Sequence, residues 1–256
     1  MSREYEKSDI VKKTAIVTGG SRGIGKGIAL ELAELGFNIA IFYEKNIEAA
    51  KETAREIESS GDVSCSLYQV SVTDVEAVEQ CVSDIESRGE KIYGLINNAG
   101  IIKDGFLMTM PESDWLNVIN TNLFGTFNCS KAVIPFMKKN GEGVIVNIAS
   151  ISGIKGESAQ ANYAATKSAI VAFTRSLAIE LIENSIGVYA IAPGFIETDM
   201  VKVMSNKIIE DNIRNIPMHC FGKTDDIARI IKFIFKENPR YMPGHVFIPD
   251  GGLSCI

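Results

Sequence analysis

The chain has little of what builds metal centres, disulfide frameworks or membrane spans. It holds two histidines, His219 and His245, and no Asp/Ser arrangement accompanies either, so no hydrolase triad is supported and both are expected to be structural or surface residues. Its five cysteines, Cys65, Cys81, Cys129, Cys220 and Cys255, are odd in number and scattered. With no Cys-x-x-Cys or Cys/His spacing they speak against disulfides and zinc and for free thiols in a reducing compartment. No metal is expected; Thr224-Asp225-Asp226 ahead of an apolar-periodic segment is a helix cap, since a metal site needs more carboxylates. No apolar run approaches the roughly 18 residues of a membrane helix, and the charged start has no apolar stretch behind it, as a signal peptide would. Excess positive charge is also missing: 26 Lys and Arg against 32 Asp and Glu leave a net charge of −6, which excludes the basic surface of a nucleic-acid binder. The expectation is a cytoplasmic protein with no nucleic-acid or membrane partner.

Its 256 residues are 46% hydrophobic and 23% charged, a balance that excludes disorder for the bulk of the chain. Strands are predicted over Thr14–Val17, Ile39–Tyr43, Val63–Val70, Ile92–Asn97, Val144–Ala149, Val188–Ala192 and His245–Ile248. Helical periodicity fills the gaps, with Ile24, Ile28, Leu32 and Leu35 on one face of the first helix and a charged helix over 47–60. Such alternation predicts βαβ units in an α/β, doubly wound parallel sheet of about seven strands, with helices on both faces. No repeat or linker divides the chain, so one domain over 1–256 is expected, the first dozen residues forming a loose tail.

In open parallel sheets ligands bind outside the carboxyl ends of the strands. Behind the first strand stands Thr18-Gly19-Gly20-Ser21-Arg22-Gly23-Ile24-Gly25, running into a helix. Glycines there allow a tight turn, and the helix N-terminus offers free N–H groups to a pyrophosphate. In this βαβ context the loop predicts dinucleotide binding. Behind the fourth strand come Asn97-Asn98-Ala99-Gly100, which alone would be an Asn/Gly turn. Ser150 follows the fifth strand and Pro193-Gly194 the sixth. Tyr163 and Lys167, four apart in a helix expected over 161–181, share one face. An ammonium beside a phenol lowers its pKa from near 10 toward a working range, although a Tyr and a Lys so spaced are commonly just a partly exposed helix face.

These residues together resemble the short-chain dehydrogenase/reductase family from Lys13 to Gly252. The family's T-G-x-x-x-G-x-G is Thr18 to Gly25, its N-N-A-G is Asn97 to Gly100, its Y-x-x-x-K is Tyr163 to Lys167, and its serine and asparagine match Ser150 and Asn122. Within the family the chain is most similar to the 3-oxoacyl-[acyl-carrier-protein] reductases, through Gln160-Ala161-Asn162-Tyr163-Ala164-Ala165 and Ala192-Pro193-Gly194-Phe195-Ile196-Glu197-Thr198-Asp199-Met200. Acetoacetyl-CoA reductases share much of this.

The resemblance implies NADPH-dependent reduction of a 3-oxoacyl thioester in fatty-acid synthesis. Tyr163 would give a proton to the carbonyl oxygen, Ser150 would hydrogen-bond that oxygen, Lys167 would bind the nicotinamide ribose and lower the tyrosine pKa, and Asn122 would anchor a relay water. Cofactor contacts are implied for Gly19, Ser21, Arg22, Gly23, Ile24, Gly25, Tyr43, Ser71, Val72, Asn98, Ala99, Gly100, Tyr163, Lys167, Pro193, Gly194, Ile196 and Thr198, and substrate contacts for Ser150 and Tyr163.

Tyr43 replaces the acid that usually binds the ribose 2′-hydroxyl of NAD, and Arg22, helped by Lys45, suits a 2′-phosphate. NADP(H) is therefore favoured; Glu44 keeps NAD(H) as the alternative. Ser71 stands where the family commonly has the aspartate that meets adenine. Gly141 and Asn184 occupy the positions of arginines that dock the carrier protein near the site entrance, with Lys138, Lys139, Lys202, Lys207 and Arg214 as substitutes. Met200, Val201, Val203, Met204, Ile208 and Ile209 would cover an acyl chain or pack as a helix. Apolar helix faces after Pro111 and Gln160 exceed what one sheet needs, and the family pattern makes a homotetramer of them. The other readings are a short-chain dehydrogenase acting on a sugar, polyol, steroid or polyketide carbonyl, and a cofactor-binding regulator without catalysis.

Overall fold

Ala15, Ile16 and Val17 are all fully buried, so β1 (Lys13–Thr18) is covered on both faces. Uniformly apolar strands of this kind suit the middle of a parallel sheet, and β1 is such a strand. β2 (Asn38–Tyr43), β3 (Cys65–Gln69), β4 (Lys91–Asn97), β5 (Gly143–Ile148), β6 (Ile186–Ile191) and β7 (Val246–Phe247) complete a seven-stranded sheet. The order is β3-β2-β1-β4-β5-β6-β7 and every pairing is parallel. A computed structural model describes residues 13–198 and 206–255. The expected loose tail, and Met200, Val201, Lys202, Val203 and Met204, fall outside the described residues.

All seven predicted strands are present. β3 is shorter than Val63–Val70, because its pairing with β2 begins at Cys65. β7 shrinks to two residues, which pair with Ala190 and Ile191. Between the strands run α1 (Gly23–Glu34), α2 (Ile47–Ser59), α3 (Val75–Ser87), α4 (Glu112–Val118), α5 (Gly125–Asn140), α6 (Ser152–Lys155), α7 (Ala161–Leu181), α8 (Asn206–Asn215) and α9 (Thr224–Glu237). The span of α7 equals the predicted one. At α9 the expected capping by Thr224-Asp225-Asp226 narrows to Asp226, whose carboxylate accepts the Lys223 backbone N–H at 2.7 Å.

Helices cover the two faces separately. On one, Ile28 and Leu32 of α1, Ile57 of α2 and Ile227, Ile231 and Ile234 of α9 form a core with β1, β2 and β6. On the other, Val78 and Val82 of α3, Val133 and Met137 of α5 and Leu177 and Leu181 of α7 pack on the same sheet. This is the doubly wound α/β arrangement. The chain reverses its direction of growth between β1 and β4, the place where such sheets open a ligand crevice. A π-helical turn, Ile119–Phe124, joins α4 to α5 and carries the fully buried Asn122. One extra residue per turn here re-aims a side chain, a device often found at functional sites.

Candidate functional site

The loop between β1 and α1 is shaped for an anion. Asn46 and Asp74 cap α2 and α3 with side-chain hydrogen bonds, and each helix has a glutamate in its first turn. Neither feature is present at α1, whose N-cap Arg22 makes no side-chain cap and whose first turn has no acid. Its N–H groups and positive dipole end are thus left for a ligand. Gly25 is obligatory: a Cβ there would stand 2.4 Å from the Gly19 carbonyl oxygen. Thr53 of α2 donates its hydroxyl to the Ser21 carbonyl at 3.0 Å, bracing the loop from outside. Arg22 is exposed and makes no ion pair among the described residues. A cradle of backbone N–H groups with a free guanidinium at its rim fits a dinucleotide pyrophosphate and ribose.

Thr18 joins this loop to the end of β4. Its hydroxyl donates to the Ile96 carbonyl at 3.2 Å and accepts the backbone N–H groups of Asn98 and Ala99, each at 3.0 Å. The Asn98 amide donates in turn to the Thr18 and Gly19 carbonyls, at 3.0 and 3.2 Å. Thr18 opens the glycine motif, but nothing in the motif's spacing singles out its hydroxyl.

Four more expected residues converge beside this seam. A Cβ on Gly100 would lie 3.2 Å from Asn122 Oδ1 and 3.7 Å from Lys167 Nζ, so the glycine leaves the gap between them open. Asn122 Oδ1 accepts the Ile101 N–H at 2.8 Å, and its Nδ2 donates to the Ile101 carbonyl and to Thr166 Oγ1, at 3.0 and 3.3 Å. With both polar atoms engaged, the side chain holds backbone and helix in place. Lys167, 4% exposed, donates to the Ile148 carbonyl at 2.7 Å and stands 5.5 Å from the Tyr163 ring centre. Burial drives its pKa down to about 8. Ser150, just beyond β5, accepts the Ser152 N–H at 3.2 Å and stands near enough to the Tyr163 phenol to lower its pKa.

The phenol itself departs from expectation. Its pKa is raised, first by burial and then by the Asp104 carboxylate, with the Ser150 hydrogen bond working the other way. The lysine does not reverse this, since it sits beside the ring with its ammonium turned to Ile148. A raised pKa keeps the proton on Tyr163 at neutral pH, the state a proton donor needs. Asp104, Gln160 and Ser152 were assigned no site role from the sequence. Here Ser152 donates to Gln160 Oε1 at 2.9 Å, and Gln160 Nε2 donates to Asp104 at 3.1 Å, lining the approach to the phenol.

The sequence profile described as short chain dehydrogenase matches residues 13–208. The chain belongs to this family. It is accordingly an NAD(P)H-dependent oxidoreductase acting on a carbonyl or hydroxyl group. Similar relatives include the 3-oxoacyl-[acyl-carrier-protein] reductase FabG of Staphylococcus aureus strain Mu50, 40% identical over 241 residues that cover 94% of this chain and 98% of that one. The protein of the same name from Chlamydia trachomatis serovar D is 40% identical over 247 residues, covering 96% and 98%. A crystal structure from Agrobacterium tumefaciens, assigned as a gluconate dehydrogenase, superposes with a TM-score of 0.91 at 27% identity, covering 96% of this chain and 98% of that one.

Other short-chain dehydrogenase positions are less closely gathered. Thr198 approaches Gly23, whose Cβ would lie 3.7 Å from it, and Ile196 is buried in a bridge to Gly222. The Pro193 carbonyl accepts the Ile151 N–H at 2.9 Å, and Gly194 packs against Asp250. Tyr43 is buried at the end of β2, and Val72 packs against Gly125. Ser71 bonds with Thr73 at 2.9 Å and lines, with Glu44, Asn120 and Asn128, a polar cleft of about 480 Å³ at the ends of β2 and β3. Gly141 and Asn184 are misplaced by the sequence expectation. They precede the starts of β5 and β6, and in a parallel sheet those starts lie on the edge opposite Ser150. They are not at this chain's own site entrance. Lys139 pairs with Glu86 at 3.6 Å and Arg214 with Asp211 at 3.7 Å. Ile208 lies half-exposed on α8. His219 and His245 are exposed surface residues as expected. Among the described residues no cluster of His, Cys, Asp or Glu suits a metal ion, and no helix is long and apolar enough to cross a membrane.

Proposed function

We propose that the chain is an NADPH-dependent reductase of 3-oxoacyl thioesters, with the acyl group on acyl-carrier protein, serving fatty-acid synthesis in the cytoplasm. The observation that carries this reading is the convergence of Ser150, Tyr163, Lys167 and Asn122 beside the anion cradle of α1. The choice of substrate is supported by relatives of that name over nearly the whole chain.

A bound nicotinamide dinucleotide supplies the hydride that reduces the carbonyl carbon. Ser150 Oγ, held by the Ser152 N–H, gives its own hydrogen to the substrate carbonyl oxygen and polarises it. Tyr163 passes its proton to that oxygen, which ends as a hydroxyl while the phenol becomes phenolate. Lys167 would donate to the ribose, and Asn122 keeps Ile101 and Thr166 in register with the helix. Gly19, Ser21, Gly23, Ile24 and Gly25 would hold the pyrophosphate. Asn98, Ala99 and Gly100 would line the nicotinamide side, Ser71 and Val72 would meet the adenine, and Pro193, Gly194, Ile196 and Thr198 would hold the nicotinamide end. Arg22 would meet a 2′-phosphate beside Tyr43.

Copies associate as a homotetramer. Phe127, Ile134, Phe173 and Leu177 of α5 and α7 line an apolar groove of about 440 Å³, and Ile179 and Ile182 stand exposed beyond it. Exposed apolar area of this kind usually marks association.

The test is NADPH oxidation followed by absorbance with acetoacetyl-CoA and with a 3-oxoacyl carrier protein. Turnover of both, faster on the carrier protein, is expected. Tight NADPH binding with no turnover on any carbonyl would overturn the reading in favour of a cofactor-binding regulator. A second enzymatic reading, reduction of another carbonyl such as a sugar's, is supported by the structural neighbour assigned as a gluconate dehydrogenase. Turnover of such a substrate with none on the thioesters would establish it.

A further inference from the structure

Beneath the site, on the side of the sheet covered by α5 and α7, lies a buried polar chain that the proposed chemistry does not use. Asn97 of β4 and Asn147 of β5 are register partners on adjacent central strands. Asn97 Nδ2 donates to Asn147 Oδ1 at 2.8 Å and to Ser130 Oγ of α5 at 3.0 Å. Asn147 Nδ2 donates to Thr174 Oγ1 of α7 at 2.9 Å. Every donor direction is settled, because Ser130 and Thr174 each give their own hydrogen to a carbonyl one turn earlier, Thr126 and Ile170, both at 2.7 Å. All four side chains are buried, and Asn97 Oδ1 is left without a partner. Asparagine is poorly suited to a central strand, and an unpaired buried acceptor costs about 1–3 kcal/mol. Packing alone would be better served by leucine.

The chain ends at the catalytic helices. From Ser130 it continues through Thr126, whose hydroxyl donates to the Asn122 carbonyl at 2.8 Å. Thr174 lies seven residues, about two turns, beyond Lys167 on α7. The adjacent residues Asn147 and Ile148 therefore grip α7 at two points, one through Thr174 and one through Lys167. We propose that the Asn97–Asn147 pair is a positioning device: it locks β4 to β5 in register and sets α7 against the turn bearing Asn122, so that Lys167 and Tyr163 stand at their working positions. This rests on the reductase reading above only for its kinetic readout.

The test is the double variant Asn97→Leu/Asn147→Leu. Replacing both partners with apolar groups of similar shape leaves stability near wild type. A purely structural pair would then leave catalysis alone. The expected result is unchanged melting temperature and NADPH affinity, with kcat lowered at least about tenfold and the pH–kcat limb moved by at least about half a pH unit. The charged groups bearing on that limb are Lys167 of α7 and Asp104 of the facing loop. Thr174→Val, which removes the acceptor, should follow the same direction, and Thr174→Ser, which keeps it, should not; this pair decides the matter if the double variant fails to fold. Unaltered kcat and pH limb in folded variants overturn the proposal. If the wild type reduces no 3-oxoacyl thioester, the reductase reading falls separately. The Lys167 Nζ to Ile148 carbonyl separation in crystals of Thr174→Val then decides: lengthened beyond hydrogen-bonding distance supports positioning, and an unchanged separation overturns it.

Discussion

Ser150 Oγ accepts the backbone N–H of Ser152 at 3.2 Å and lies near enough to the Tyr163 phenol to lower its pKa. The serine's own hydrogen can serve a carbonyl oxygen placed there, so serine and tyrosine can address one substrate atom together. Tyr163→Phe removes only the donor proton. It is expected to lower kcat by at least about 10²-fold, the usual scale of a general acid, while NADPH titrated by fluorescence binds as before. Near wild-type turnover in the purified variant would remove Tyr163 from the chemistry.

Lys167 imposes a stability cost whose sign can be measured. In the unfolded chain its amine titrates at an ordinary 10.5, and in the fold at about 8. Below pH 8 both states hold the proton and the folded state bears the whole penalty of the buried charge, about 3 kcal/mol. Between pH 8 and 10.5 the folded state releases the proton while the unfolded state keeps it, so stability rises with pH across that window. Lys167→Met is expected to be inactive yet more stable than wild type toward urea at pH 7, the difference shrinking by pH 10. A variant less stable at pH 7 contradicts this.

The proposed preference for NADPH turns on Arg22 and Glu44. Among the described residues the guanidinium makes no ion pair at the rim of the loop, whereas Glu44 has Lys45 near it at 3.8 Å. Arg22→Ala is expected to weaken NADPH binding at least about tenfold, the loss of one charge-assisted hydrogen bond, and to leave NADH binding unchanged. Equal weakening for both cofactors, read by calorimetry, would place the arginine on the shared pyrophosphate instead.

The apolar groove between α5 and α7 gives a test of assembly. Phe127, 46% exposed, stands at its rim. Phe127→Glu places a charge there and is expected to yield a smaller species by sedimentation with unchanged circular dichroism. A wild type that sediments as a monomer would end the tetramer proposal outright.

Local pattern made much of this molecule legible. Seven apolar runs became seven strands, and the 161–181 periodicity became α7, because burial on both faces of a parallel sheet writes itself into consecutive residues. The glycine loop, Ser150 and the Tyr163–Lys167 pair were visible as motif and spacing. What escaped were contacts between residues distant in the chain: the hydroxyl of Thr18 under Asn98, the Asn97–Asn147 pair, and Asp104 near the phenol.

Residue order thus determined the sheet, the edge on which the site lies and the identity of the groups brought there, since each depends on a short stretch of chain. Only the tertiary structure decided how those groups behave. It turned the Lys167 ammonium toward Ile148, left the phenol's pKa raised rather than lowered, engaged both polar atoms of Asn122 and put Gly141 and Asn184 on the far edge. Desolvation and hydrogen-bond direction depend on everything packed around a group, and that packing is assembled from segments fifty to eighty residues apart.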